Sequence, residues 1–116
     1  MKEPPLITHF GRTEVVNAIC RAHFTGALDK AGLDEAMADL ENDLSHGHLE
    51  QAGLLWRAAL QRSVDLSRIH TPVLGTRAAD VLHVACALEL KLRHFLSFDG
   101  RQQKLASACG LKLVKL

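Results

Sequence analysis

The chain has few aromatic residues, 4% of the total. Its core must therefore be built mainly from Leu, Val and Ala, with no layer of large rings. It also lacks any run of eighteen apolar residues, and the opening MKEPPLITHF has neither a long apolar centre nor a small-residue cleavage pattern. Export and membrane insertion are not expected, and a cytoplasmic location is. Cysteine is scarce and odd in number: Cys20, Cys86 and Cys109, with no C-x-x-C. That excludes a disulfide framework and a thiolate zinc site, and fits buried thiols in a reducing compartment. Charge of one sign is missing as well, since the formal net charge is +1. A broad basic field along the whole chain is excluded, so any nucleic-acid contact must be local. There is no glycine-rich phosphate loop and no G-x-S-x-G elbow, which removes nucleotide-dependent phosphoryl transfer and serine hydrolysis.

What is present fits one domain, 1–116, whose length suffices to bury roughly two thirds of the unfolded surface. The segment Leu6-Ile7-Thr8 reads as a short strand, broken by Gly11 before a helix from about Thr13 to Phe24. Glu14 falls in the first turn of that helix, and Val15, Ile19 and Ala22, flanked by Val16 and Cys20, form an apolar stripe at helical spacing. A second helix follows Asp29, with Leu33, Ala36, Met37, Leu40 and Leu44 inward. Asp34, Glu35, Asp39, Glu41 and Asp43 face outward, as a solvated face. The turn at His46–His48 leads to a strand near Leu49 to Leu54 and a helix from Trp56 to about Ile69. The two histidines have no further ligand cluster at metal-site spacing.

Pro72 and Gly75 mark a loop, after which Thr76 is placed to cap a helix over about Ala78 to Leu92. Val81, Leu82, Val84, Ala85, Cys86, Ala87, Leu88 and Leu90 cover almost its whole circumference, so burial on several sides is expected. His94 to Phe98 reads as a strand, Gln102 to Cys109 as a helix and Leu111 to Val114 as a strand. Two apolar strands joined through a helix lie parallel, which makes the chain an α/β protein.

The acidic residues of this frame carry the chemistry. Asp99 lies at the carboxyl end of a strand, where ligands of parallel sheets bind. Glu14 and Asp80 stand in first helical turns that can open into the same cleft. Carboxylates gathered together repel one another until a cation neutralises them, and hard oxygen donors select Mg²⁺ or Mn²⁺. Such a site supports phosphodiester hydrolysis by an activated water. Simpler roles compete: Glu14 and Asp80 can complement a helix dipole, and Asp99 before Gly100 can serve as a turn residue or helix cap. His83, three residues after Asp80, lies on the same helical face. Arg77 and Arg101 adjoin the two aspartates and have the fork that binds phosphate oxygens. Trp56 reads as a core or dimer-interface anchor.

The stretch GTRAADVLHVACALELKLRHFLSFDGRQQKLASACGLKLV, with its D-x-x-H-x-A-x-A-L-E-L run followed by S-F-D, resembles the C-terminal half of PIN domains, especially VapC-type toxins of toxin–antitoxin pairs. RTEVVNAICRAHFTGAL resembles the helix that carries the second acidic residue of that family. The resemblance runs from about Leu6 to Val114. It implies a PIN-like three-layer sandwich, with a short parallel sheet flanked by helices, and a metal-dependent endoribonuclease. Glu14, Asp80 and Asp99 would be its catalytic metal ligands and Mg²⁺ or Mn²⁺ its cofactor. Its partners would be an RNA substrate, a cognate antitoxin and a second copy in a homodimer. The family's opening hydrophobic strand and first Asp have no counterpart here, so an N-terminally truncated domain is expected. The alternative it leaves is a non-catalytic PIN remnant or protein-binding module.

Overall fold

A computed structural model describes residues 3–115. The described residues form five helices and four short strands, a mostly helical and broadly α/β arrangement whose strand pairs are all parallel. The chain divides into two compact units, the first ending at Gly53 and the second beginning at Leu54.

In the first unit, β1 (Leu6–Thr8) runs into α1 (His9–Phe24), α2 (Lys30–Ser45) and β2 (Glu50–Ala52). β1 and β2 pair in parallel with Leu6 opposite Glu50. The helix expected from Thr13 begins earlier, at His9, because the Thr8 hydroxyl accepts the Gly11 N–H at 2.9 Å and caps it. Gly11 is therefore a helical residue, and its bare Cα serves close approach: a Cβ there would lie 3.0 Å from Ile7 Cγ1 and 3.2 Å from Thr8 Oγ1. α2 starts where the sequence places it, with Asp29 accepting the Gly32 N–H at 2.7 Å. Its acidic residues all face water, and Leu40 is its buried residue. The apolar stripe of α1 is covered only in part, for no residue of that helix is buried.

The second unit is built around α4 (Ala78–Glu89), which packs on α3 (Trp56–Leu74) and α5 (Gly100–Ala108). Val81, Val84, Ala85, Cys86 and Ala87 are buried, as expected of a helix apolar nearly all round. Val81, Val84 and Ala87 join Leu105, Ala106 and Leu111 in one cluster, against which Leu66 and Leu74 of α3 pack. Each fully buried Leu or Val contributes on the order of 1.5–3 kcal/mol. β3 (His94–Phe95) and β4 (Lys112–Leu113) pair in parallel across α5, giving the expected βαβ unit with shorter strands. Leu96 and Phe98 fall outside the ladder and are exposed, since Ser97 turns the chain by accepting the Asp99 N–H at 3.0 Å.

Three further expectations are corrected here. α3 continues through Pro72 to Leu74: the proline removes one N–H from the last turn without ending the helix, and Gly75 closes it with φ 66°. Thr76 does not cap α4; Arg77 holds that position without a side-chain hydrogen bond, and the Thr76 hydroxyl pairs with Thr71 Oγ1 at 2.9 Å. The thiols are not all buried: Cys86 is, Cys109 is half-buried and Cys20 is exposed. No helix of the described residues is long and apolar enough to cross a membrane.

Candidate active site

The site-bearing part of the second unit is the end where α4 and α5 begin. Asp80 stands in the first turn of α4, and Asp99 is the N-cap of α5. Asp99 Oδ1 accepts the N–H groups of Arg101 at 2.8 Å and Gln102 at 3.0 Å. Gln102 joins the two segments: buried to 9% exposure, it donates from Nε2 to the Asp80 carbonyl at 3.2 Å while its own backbone N–H rests on Asp99. A glutamine here was not singled out in the sequence; its signal is a position three residues after a capping Asp. Arg101 bridges in the same direction, donating from Nη1 to the Gly75 carbonyl at 3.4 Å. The left-handed turn at Gly75 lies directly beneath it, for a Cβ there would approach Arg101 Nη1 to 4.0 Å.

The half-buried Asp80 carboxylate has no hydrogen-bond or ion-pair partner among the described residues. Asp99 commits Oδ1 to the cap, and no described residue donates to Oδ2. The capping role that sequence reasoning set beside the catalytic one for Asp99 is thus real. It does not consume the whole group. His83 lies one turn beyond Asp80 in α4 and is half-buried.

Glu14 belongs to the first unit. Since α1 starts at His9, no acidic residue lies in its first turn, so Glu14 does not complement the dipole there. It is exposed and lines an open groove of about 450 Å³ with Asn17, Arg21 and Thr25. Among the described residues no group of three His, Cys, Asp or Glu side chains is gathered closely enough to hold a metal ion. The second unit offers two carboxylates of the hard oxygen type that Mg²⁺ or Mn²⁺ takes, with water or phosphate oxygens completing such shells. His46 and His48 stack on each other at 6.1 Å, and His48 faces Asp43 at 3.6 Å.

The near-neutral total charge conceals an imbalance between the units. Residues 1–53 carry four Lys and Arg against nine Asp and Glu, a formal −5. Residues 54–116 carry ten against four, a formal +6. Of those ten cations only Arg62 has an ion pair among the described residues, with Glu89 at 2.6 Å between α3 and α4. The signal was in the sequence; averaging over the whole chain erased it.

Comparison with protein-family models, with curated proteins and with solved structures finds no match to this chain.

Proposed function

We propose that the chain is a PIN-like, VapC-type metal-dependent endoribonuclease of the α/β three-layer sandwich class, acting in the cytoplasm. The observation that carries the reading is the bridge through Gln102, which joins the backbone carbonyl of Asp80 to the carboxylate of Asp99 and so holds together the starts of α4 and α5, where both acids stand. Their uncommitted oxygens suit a hard cation, and the resemblance adds Glu14 as a third acidic ligand. When bound, Mg²⁺ or Mn²⁺ would supply a water of lowered pKa and neutralise charge on the phosphodiester. Asp80 would hold that cation with a carboxylate that no other group occupies. Asp99 would hold it through Oδ2 while Oδ1 keeps the turn in place, and Gln102 would hold the backbone of α4 at Asp80 against the start of α5. Arg77 and Arg101 would supply cationic forks for the substrate phosphates. A cognate antitoxin and a homodimeric partner are the further associations the resemblance suggests.

A second reading, a non-catalytic PIN remnant or protein-binding module, is favoured by the use of Asp99 as a helix cap, a role that needs no metal. The deciding experiment is RNA cleavage by the purified chain with Mn²⁺ or Mg²⁺, beside Asp80→Asn and Glu14→Gln. Cleavage by the parent chain that Asp80→Asn abolishes supports the nuclease. Equal cleavage by both, or none by a folded parent, would transfer the chain to the second reading.

A further inference from the structure

Phe98 is 84% exposed, yet the residues on either side of it are tied by hydrogen bonds. Ser97 Oγ accepts the Asp99 N–H at 3.0 Å, the Ser97 carbonyl accepts Gln103 Nε2 at 2.7 Å, and Asp99 caps α5 with two hydrogen bonds. The ring is therefore held out in water by ordered neighbours on both sides, an arrangement that burial cannot explain. Exposure alone is not the argument, because Phe24 is 88% exposed at the end of α1. The difference is electrostatic: Phe24 belongs to the acidic unit and Phe98 to the basic one.

We propose that Phe98 is a base-stacking platform for single-stranded RNA, with Arg77 and Arg101 holding the adjoining phosphates. The proposal rests on the nuclease reading for its choice of RNA, and goes beyond it in saying how the strand is held. Arg77 is exposed without an ion pair among the described residues, and Arg101 spends one of its five donors on Gly75. Arg101 follows Phe98 by three residues and its guanidinium reaches the Gly75 carbonyl, two residues before Arg77, so an exposed aromatic ring and two cations share this end of the unit. An unpaired strand needs that combination, since every base has a π-face and every linkage an anionic phosphate. A duplex keeps its bases stacked internally and offers the ring nothing. An acidic peptide would use the arginines but has no base to place on Phe98, so the exposed ring favours the nucleic acid.

The test is equilibrium binding of a fluorescent single-stranded RNA 12-mer to the full chain in EDTA, where metal-dependent cleavage cannot intervene. Phe98→Ala is expected to weaken binding roughly 5- to 150-fold, with Phe98→Trp restoring it. The double change Arg77→Gln, Arg101→Gln is expected to reduce the slope of log affinity against log salt by about 1.4. The same sequence as duplex RNA should bind without dependence on Phe98, and single-stranded DNA isolates the 2′-hydroxyl contribution. An unchanged affinity in Phe98→Ala, no RNA binding by the folded parent, or equal Phe98-dependent binding of poly-glutamate overturns the proposal. Phe98-dependent binding by a chain that cleaves nothing in Mn²⁺ would remove the nuclease reading and leave this surface standing.

Discussion

The two units reach order by different means. In residues 54–116 a helix apolar on nearly every side is enclosed by two others, and Val81, Val84, Ala85, Leu105 and Ala106 are sealed from water. The unit ending at Gly53 has no comparable centre among its described residues, of which Leu40 alone is buried. It relies on caps and surface ion pairs: caps at Thr8 and Asp29, the Arg12–Glu41 pair between α1 and α2 at 2.6 Å and the Lys30–Asp34 pair at 2.6 Å. Hydrophobic burial grows with the area removed from water, whereas caps and exposed pairs are worth about 1 kcal/mol or less each and salt screens the pairs. Similar helix content thus conceals unequal sources of stability.

The largest effect is expected from truncating the cores. Leu105→Ala should cost about 2–5 kcal/mol in urea unfolding, since the side chain is fully enclosed. Leu40→Ala, at 8% exposure with fewer enclosing groups in its unit, should cost less. A greater loss at Leu40 would invert the comparison. The bridge between the starts of α4 and α5 comes next: Gln102→Ala should lower stability by about 1 kcal/mol and reduce metal-dependent cleavage, whereas a purely structural glutamine would affect only the first. Asp99→Asn sharpens this further. An asparagine keeps an oxygen for the α5 cap, so stability should change by only about a few tenths of a kcal/mol while cleavage is lost; Asp99→Ala should cost about 1 kcal/mol as well.

The two thiols of the second unit, one buried and one half-buried, give it a pH signature of its own. Burial, reinforced by the nearby Glu89 charge, raises Cys86 above the ordinary thiol value of 9.0. Burial also raises Cys109, partly offset by Arg62. A folded-state pKa above the unfolded one means that the unfolded chain releases protons first as pH rises. The contribution is therefore complete below pH 9.0 and declines as pH climbs from there through the folded values. Cys86→Ala should flatten the alkaline limb of stability against pH, and an unchanged limb would show that other groups cause it. The smallest effect belongs to the first unit: breaking Arg12–Glu41, whose side chains are 40% and 61% exposed, should change stability by at most about 1 kcal/mol, less in high salt.

Much of this was legible because the signals were periodic and local. The inward and outward faces of α2, the strand at Leu6–Thr8, the mostly apolar helix after Arg77 and the terminal βαβ order all follow from residue spacing. Gly11 and Pro72 misled for one reason: each is a strong breaker in isolation, but a cap supplied by Thr8 decided where α1 begins and a stop supplied by Gly75 decided where α3 ends. Of the candidate site, Asp80 and Asp99 could be named from their positions beside a buried helix and strand. Their connection through Gln102 could not, because a side-chain amide reaching a carbonyl 22 residues away has no sequence signature.

By itself, then, the amino-acid sequence determined the helical periods, the α/β order of the second unit, the candidate carboxylates and the distribution of charge. These depend on residue type and near neighbours, which the chain carries in any conformation. Tertiary structure alone decided that Asp99 caps α5 through Oδ1 alone, that Arg101 lies over Gly75, and that Phe98 stays in water while Leu105 does not. Those outcomes depend on which distant atoms compete for the same space and the same hydrogen bonds, and that competition exists only once the chain has folded.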